Sequence, residues 1–308
     1  MKPVFSYLIV GAGGTGGAIG AYLAKAGKPV TWIARGSHLS AIRERGLTLS
    51  RPDDSFTIHP ATACTMEEYE GRPDVIFVCV KGYSVSSILP FLKRVSDSHT
   101  IVIPVLNIYG TGGKMQPHLP GVSVMDGCIY VAAHRESDGI IRMNSYLLRV
   151  VFGPRNRGEF RHTLNQIRDD LAESGMEAVL SDDIRRDALV KYSYISAQNA
   201  CGMYYNVPAG PMQHPGRERD CFAALSREVE ALGHAMGISF DMDLAKHNLD
   251  IIDSLGPDMM TSMQRDLLAG RPSEIDGLIF EVTRLAKQYG ILLPEFEKIT
   301  NALSEKYR

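Results

Sequence analysis

A glycine-rich loop near the start of the chain constrains the fold more than any other feature. Residues 11–16 read Gly-Ala-Gly-Gly-Thr-Gly, which fits the pattern GxGxxG, and they follow an apolar run that ends at Val10. A helix-like stretch comes directly after them. In this strand–loop–helix setting Gly11 permits a tight turn, Gly13 lets the backbone approach a pyrophosphate, and Gly16 allows close helix–strand packing. The pattern favours a dinucleotide-binding domain over the alternative, a tight turn or flexible loop without a ligand.

Apolar runs alternate with helix-like stretches through the first half of the chain, and from about Arg161 onward the periodicity becomes helical. This predicts an α/β fold: an N-terminal Rossmann-type doubly wound parallel sheet, covered by helices on both faces, followed by an all-α C-terminal domain. We place the NADP-binding domain at residues 1–180 and the helical substrate and catalytic domain at residues 181–308, because Ser181 begins a Ser-Asp-Asp sequence typical of a helix start. The predicted strands are Tyr7–Val10, Val30–Ile33, Val75–Val80, Thr100–Leu106, Val122–Asp126, Cys128–Ala133, Leu147–Phe152 and Glu177–Leu180. The predicted helices of the second domain are Asp183–Ala200, Arg217–Met236, Asp241–Ser254, Asp258–Ala269, Ser273–Tyr289 and Glu295–Lys306.

Composition and charge exclude several classes of function. The chain has 308 residues and a formal net charge of -2, which gives no reason to expect binding to nucleic acid or to an anionic membrane. No apolar run approaches the ~20 residues that span a bilayer, and the N-terminus lacks the pattern of a signal peptide. The five cysteines and nine histidines are scattered without metal-ligand spacing. We expect a cytoplasmic protein with reduced thiols and no metal site.

Arg35 bears on the choice of cofactor. It follows the second predicted strand, where an NAD-specific domain usually has Asp or Glu to bind the ribose 2′-hydroxyl. A carboxylate would repel a 2′-phosphate, whereas a guanidinium pairs with it. Arg35 therefore indicates NADP(H), unless it is a plain surface arginine.

Two more polar residues, Lys81 and Asn107, follow predicted strands. Ligands of open parallel sheets bind beyond the carboxyl ends of the strands. Each residue alone could belong to an ordinary loop, but together with Gly11 and Arg35 they predict one ligand-binding edge.

Several motifs along the chain are shared with a known family. They are GAGGTG, Arg35-Gly36, Val80-Lys81, Leu106-Asn107, the run Ala188–Asn199, Ser262-Met263 and Ser273-Glu274-Ile275-Asp276. In these residues the chain resembles ketopantoate reductase (2-dehydropantoate 2-reductase), which reduces a 2-oxo acid to a 2-hydroxy acid with NADPH in pantothenate biosynthesis. The nucleotide motif is common to many dehydrogenases, while the later set is more specific.

The resemblance implies a role for each matching residue. Lys191 is the catalytic acid, and Glu274 is its partner near the cofactor ribose. Asn107 and Lys81 border the nicotinamide and the reacting carbonyl, and Ser262 binds the substrate carboxylate. The resemblance further implies cofactor contacts from Gly14, Thr15 and Ala133 and substrate contacts from Ile195 and Asn199.

The chemistry of a lysine suits this reaction independently of the resemblance. Hydride addition leaves an alkoxide, and an ammonium group both stabilises that charge and supplies a proton. Two simpler interpretations remain. Lys191 lies near Arg185 and Arg186 and could belong to a solvated helix face, and Glu274 could be an acid that complements a helix start.

The sequence departs from the family at three positions. The family usually has Asn four residues after the catalytic Lys, where this chain has Ile195. Ala209 and Met259 align with two further substrate-side asparagines. Since a hydrogen bond contributes about 0.5–1.5 kcal/mol, these changes could weaken recognition of ketopantoate.

Three functions therefore stay open. Ketopantoate reduction comes first, and reduction of a more apolar 2-oxo acid, another oxo acid or a ketone comes second. A non-catalytic NADPH sensor is the third, although a sensor has no use for Lys191 and Glu274. The apolar helices of the second half could form a homodimer interface or simply that domain's own core.

Overall fold

The computed structural model describes residues 4–156 and 162–307. Contacts divide the chain into two compact units. The first runs to Leu106 and continues over Gly110–Ile184, and the second comprises Asn107–Tyr109 and the chain from Arg185 onward. The short segment that begins at Asn107 thus groups with the helical half, although it follows a strand of the first unit. Arg161, where the sequence pattern turns helical, lies outside the described residues.

The first unit contains both strands and helices. Its strands are β1 (Tyr7–Val10), β2 (Val30–Ile33), β3 (Leu47–Ser50), β4 (Ser55–Ile58), β5 (Thr62–Cys64), β6 (Val75–Val78), β7 (Ile101–Pro104), β8 (Ser123–Val124), β9 (Asp126–Ser137), β10 (Ile140–Gly153) and β11 (Glu177–Leu180). Its helices are α1 (Gly14–Lys25), α2 (Gly36–Arg45), α3 (Val85–Val95), α4 (Thr111–Met115) and α5 (His162–Glu173).

Six strands form a parallel sheet in the order β5-β2-β1-β6-β7-β8. This is the order of a doubly wound dinucleotide-binding sheet, so the predicted Rossmann-type fold is confirmed. All residues of β1, β6 and β7 are buried, because both faces of these strands are covered. On one face α3 contributes Ile88, Phe91, Leu92 and Val95 to the core.

A second, mixed sheet corrects the prediction of a single parallel one. Its order is β11-β10-β3-β4, with β9 antiparallel to β10. The apolar runs at 128–133 and 147–152 therefore form a hairpin rather than further parallel strands. Helix α1 packs against strands of both sheets. On this helix the next layer is therefore the second sheet and not another helix. The missed signal is Asp138-Gly139, an Asp-Gly pair that favours a two-residue hairpin turn and in which Gly139 has φ +81°.

The second unit is helical throughout its described residues, as predicted. Its helices are α6 (Ile184–Tyr205, the first residue of which groups with the first unit), α7 (Gly210–Gln213), α8 (Arg217–Ala235), α9 (Leu244–Asp253), α10 (Ser262–Leu268), α11 (Glu281–Gln288) and α12 (Pro294–Lys306). A π-helical turn, Asp276–Phe280, precedes α11. None of the described helices is both long and apolar enough to cross a membrane.

Helix α6 carries an unusual number of buried polar side chains. Ser193, Ser196 and Asn199 are almost fully buried. The Ser193 hydroxyl accepts a hydrogen bond of 3.0 Å from Asn248 of α9, whose amide also donates to Ser226 of α8 at 3.1 Å. Since buried polar groups need partners, this link fixes the position of α6 relative to α8 and α9 within the second unit.

Candidate functional site

The glycine loop of the first unit has the backbone geometry that its sequence predicts. Gly11 has φ +104°, a conformation that side-chain-bearing residues rarely adopt. A Cβ on Gly16 would overlap the carbonyl oxygen of Gly11 and approach the Cβ of Cys79 at 2.9 Å. Gly11 is therefore required for the turn, and Gly16 for the close contact between α1 and the strand ends.

Gly13 differs from both of these glycines. Its backbone is extended, with φ -77°, and a Cβ built on it would meet no atom within 4 Å. Gly13 is also the N-cap residue of α1, and no side chain caps the helix there. The loop thus presents helix N–H groups beside open space, an arrangement that fits a phosphate group.

The predicted neighbours Gly14, Thr15 and Ala133 lie at the same loop. Gly14 and Thr15 are the first two residues of α1. A Cβ on Gly14 would overlap the carbonyl oxygen of Ala133 in β9, so the hairpin of the second sheet packs directly against the loop. The structure brings these residues together, although they are more than a hundred residues apart in the chain.

Arg35 and Lys81 follow two strands that flank β1. Arg35 comes after β2 as the extended N-cap residue of α2, and Lys81 comes after β6. Because β2, β1 and β6 are parallel neighbours, both residues lie at the edge where the glycine loop begins. Arg35 is exposed, and its guanidinium makes no hydrogen bond or ion pair with any described residue.

Lys191 and Asn107 meet in the second unit. The Lys191 ammonium donates a hydrogen bond of 2.7 Å to the Asn107 side-chain oxygen, and Lys191 is only 8% exposed. The interpretation of Lys191 as part of a solvated helix face is therefore wrong. Lysine is almost never fully buried without a partner, so the contact itself marks a built site.

The segment after Asn107 also contacts the π-helical turn. The Tyr109 and Tyr192 rings have centroids 5.9 Å apart, and the Tyr192 hydroxyl donates to the Gly277 carbonyl at 2.8 Å. Burial raises the pKa of Tyr192 well above its ordinary value, so this hydroxyl stays a donor. π-helical turns are rare and frequently lie at functional sites.

Glu274 lies just before this π-helical turn. It is buried, and its carbonyl oxygen accepts a hydrogen bond from the Leu278 N–H at 2.9 Å. Glu274 is thus bonded to the π-helical turn through its backbone. Tyr192, the residue after Lys191 in α6, donates a hydrogen bond to the same turn at Gly277.

Asn199 has partners within the protein. Its amide donates to the Ile195 carbonyl at 2.7 Å, and its side-chain oxygen accepts from the Thr261 hydroxyl at 2.5 Å. Thr261 is the N-cap of α10, where it forms a capping box with Gln264. The exposed Ser262 is the first residue of that helix. Asn199 therefore positions the start of α10.

The three departures from the family pattern lie in one region but differ in exposure. The Ala209 N–H donates to the Met259 carbonyl at 3.0 Å, and Met259 comes two residues before Thr261. Met259 is 47% exposed and Ile195 is partly buried, but Ala209 is 0% exposed and packs in the apolar core. The Ala209 side chain therefore packs in the core of the second unit, whereas Met259 and Ile195 are accessible in part.

Sequence reasoning missed three residues that support these sites: His38, Tyr192 and Thr261. His38 bonds the glycine loop. Thr261 had a readable signal, since Thr-x-x-Gln is a capping pattern, whereas His38 and Tyr192 had none because their partners are remote in sequence. Over residues 4–156 and 162–307, no group of three His, Cys, Asp or Glu side chains is arranged to hold a metal ion.

The fold and the loop define a class: a Rossmann-type protein whose glycine loop leads into a helix N-terminus, as in dinucleotide-binding domains. Comparison with known proteins narrows this class. The family model for ketopantoate reductase PanE/ApbA matches residues 7–157, and the model for the C-terminal domain of that family matches residues 183–307. The chain belongs to the ketopantoate reductase family and is an oxidoreductase of that type.

Individual relatives are distant and cover almost the whole chain. The uncharacterised oxidoreductase YkpB of Bacillus subtilis strain 168 is 26% identical over 95% of this chain and 96% of its own length. A 2-dehydropantoate 2-reductase of Mesorhizobium japonicum is 27% identical over 91% of this chain and 90% of its own. The structure of D-mandelate dehydrogenase with NADH and anilino(oxo)acetate has a TM-score of 0.87 at 21% identity and covers 97% of each chain.

Proposed function

We propose that the chain reduces a small 2-oxo acid with NADPH and that ketopantoate, which would yield pantoate, is the first candidate substrate. The observation that carries this proposal is the buried Lys191 ammonium, held by the neutral side-chain oxygen of Asn107 at 2.7 Å. Asn107 orients the ammonium without neutralising its charge. An ammonium group held in this way is suited to donate a proton to the alkoxide that hydride addition leaves.

The residues of the first unit fit a dinucleotide. The amides at Gly13, Gly14 and Thr15 would hold the pyrophosphate, and the exposed Arg35 guanidinium would pair with the 2′-phosphate of NADPH. Lys81 lies at the same edge and would add a positive charge toward the cofactor. When bound, NADPH supplies the hydride for the carbonyl carbon.

The residues of the second unit supply the remaining steps. Lys191 donates a hydrogen bond to the substrate carbonyl oxygen and transfers a proton to it as the alkoxide forms. Asn107 keeps the ammonium in place, and the Glu274 side chain would act as the partner of Lys191 and bind the cofactor ribose. The Ser262 hydroxyl binds the substrate carboxylate, while Asn199 acts through Thr261 by fixing the helix start that carries Ser262.

The test is to mix the purified protein with NADPH and ketopantoate and to follow the loss of absorbance of the reduced nicotinamide. We expect oxidation by the wild type and a fall in kcat of about 10²–10⁴-fold for Lys191→Ala, the usual contribution of a general acid. NADPH affinity should be unchanged in that variant. Lys246→Ala removes an exposed lysine of the same unit and is the matched control. Equal kcat for Lys191→Ala and wild type would overturn the proposed acid.

A second candidate function is the reduction of a more apolar 2-oxo acid. Ile195 and Met259 favour it, because both replace amides with apolar side chains near the Asn199–Thr261 contact. The likeness in fold to D-mandelate dehydrogenase supports a trial of aromatic 2-oxo acids such as phenylglyoxylate. A higher kcat/KM for phenylglyoxylate than for ketopantoate would favour this candidate, and the reverse order would exclude it.

Two further expectations from the sequence can be tested with the same preparation. Tight NADPH binding without oxidation of any 2-oxo or 3-oxo acid or ketone in the panel would favour a sensor over an enzyme. Light scattering coupled to size-exclusion chromatography would test the proposed homodimer.

A further inference from the structure

His38 lies in the first unit and is bonded through both ring nitrogens. The ring is almost fully buried, with 5% exposure. Its Nε2 lies 2.8 Å from the Ala12 carbonyl oxygen, and its Nδ1 lies 3.0 Å from the backbone nitrogen of Gly139. Ala12 is the second residue of the glycine loop, and Gly139 is at the tip of the β9–β10 hairpin.

The partners of the ring fix its protonation state. The Gly139 N–H can only donate, so Nδ1 must be the unprotonated acceptor. Nε2 then carries the proton and donates it to the Ala12 carbonyl. A doubly protonated ring would direct an N–H at the N–H of Gly139, so this arrangement requires the neutral imidazole.

The charges around the ring also favour the neutral form. Burial lowers the pKa of His38 below its ordinary value, and the hydrogen bond to the Ala12 carbonyl raises it. Of the nearby charges, Arg135 of β9 lowers the pKa and Asp138 of the hairpin turn raises it. Arg135 and Asp138 face each other at 3.8 Å, so their effects largely cancel. The glycine loop and the first turns of α1 contain no titratable side chain. Burial is therefore the main cause of the lowered pKa.

The glycine loop depends on contacts from outside itself. Four of its six residues are glycines, and its N-cap residue has no side-chain cap. His38 lies in the first turn of α2, whose N-cap residue is Arg35, and its ring contacts the glycine loop. The same ring bonds the β9–β10 hairpin, and the Ala133 carbonyl of that hairpin packs against Gly14 of the loop. The His38 ring thus joins three elements: the glycine loop, helix α2 with Arg35 at its start, and the second sheet.

We propose that His38 is a positioning residue for dinucleotide binding: its neutral ring holds the Ala12 carbonyl so that the following amides face the phosphates. This inference rests on the proposed binding of NADPH at the glycine loop. Protonation of the ring breaks the bond from Gly139 and releases the loop. Cofactor affinity is then full above the ordinary histidine pKa of 6.5 and declines as pH falls through the lowered pKa of His38.

The experiment compares NADPH affinities of wild type, His38→Leu and His38→Gln by calorimetry between about pH 8 and about pH 5. His38→Leu removes both hydrogen bonds and should weaken binding about tenfold or more near pH 8. Glutamine keeps an N–H donor and does not titrate, so His38→Gln should recover most of this loss. The 2′-phosphate itself titrates near pH ~6, so the measured quantity is the difference between the wild-type and His38→Gln profiles.

Each outcome decides a different point. A wild-type affinity that falls more steeply with acid than that of His38→Gln supports the inference, and parallel profiles overturn it. His99→Gln, at an exposed histidine of the same unit, should match the wild-type profile. Failure of the wild type to bind NADPH or NADH at any pH would overturn the proposed function instead. Should His38→Leu not fold, the comparison with His38→Gln still decides the matter.

Discussion

The two units build their candidate sites from different parts of the chain. In the first, the candidate site is mostly backbone: the extended Gly13, the uncapped start of α1 and a loop too crowded for side chains at Gly16. In the second, the candidate site consists of side chains, above all Lys191, Asn107 and those near Thr261.

This difference is consistent with the position of the three departures from the family pattern, which all lie in the second unit. At Gly14 and Gly16 the backbone site tolerates little change, because a single added methyl group overlaps a carbonyl oxygen. A side-chain site can change its specificity one residue at a time, as at Ile195 and Met259, while α6 and its neighbours keep their packing.

The sharpest test of the backbone site is a pair of glycine substitutions. Gly13→Ala should fold normally, because its Cβ meets no protein atom, but it would fill the space in which we propose that the pyrophosphate binds. Loss of about two charge-assisted hydrogen bonds corresponds to a fall in NADPH affinity of about a hundredfold or more. Gly16→Ala should instead destabilise the fold by about 1–3 kcal/mol or more through overpacking. Calorimetric NADPH affinities and melting temperatures separate these effects, and unchanged affinity in Gly13→Ala would contradict the assigned phosphate site.

Arg35→Gln tests whether any side chain of the first unit selects the cofactor. NADPH affinity should fall by about 10–100-fold, the value of one or two charge-assisted hydrogen bonds, while NADH affinity should not change. Arg45→Gln, at an exposed arginine of the same helix, is the control. Equal losses for both cofactors would mean that Arg35 does not read the 2′-phosphate.

Tyr7→Phe tests a side chain of the first unit that is structural. The buried Tyr7 hydroxyl donates to Asp170 at 2.6 Å, and Lys28 holds the other carboxylate oxygen at 2.5 Å. Removal of a hydrogen bond to a charged group should lower the free energy of unfolding by about 1.5–3 kcal/mol without changing kcat/KM. Thermal melts and steady-state kinetics check both expectations.

The same variant should change the alkaline pH dependence of stability. Burial and then the bond to Asp170 raise the pKa of Tyr7 well above its ordinary value of 10.0. The unfolded chain therefore loses this proton first, so the stabilisation is present below about pH 10 and is lost as pH rises further. Tyr7→Phe should lack this decline, and identical melting profiles at high pH would contradict the assignment.

Ile195→Asn is expected to have the smallest effect of these variants, and it tests substrate preference at the side-chain site of the second unit. It restores the amide that the family usually has at this position. One added hydrogen bond should raise kcat/KM for ketopantoate by about 2–10-fold relative to phenylglyoxylate. Ile195→Leu keeps the apolar character and should leave the ratio unchanged. A ratio that moves equally in both variants would show that packing, and not the amide, sets the preference.

Local patterns in the sequence predicted most of the elements. The glycine spacing identified β1, the loop and α1, and helical periodicity placed Lys191, Ile195 and Asn199 on one helix, α6. The β9–β10 hairpin was misassigned because the apolar runs within its strands, 128–133 and 147–152, resemble the strands of the parallel sheet. Apolar runs alone do not reveal which sheet a strand joins or in which direction it pairs.

Sequence by itself determined the features that depend on neighbouring residues: the tight turn at Gly11, the helical second half and the arginine after β2. Tertiary structure decided which distant residues meet. Lys191 contacts Asn107 across 84 positions, and His38 contacts Gly139 across 101 positions while it also bonds Ala12. Turns and helices follow from local steric rules that leave a repeating pattern in the chain. A hydrogen bond between remote segments leaves no such pattern, because its geometry exists only once the core has packed around it.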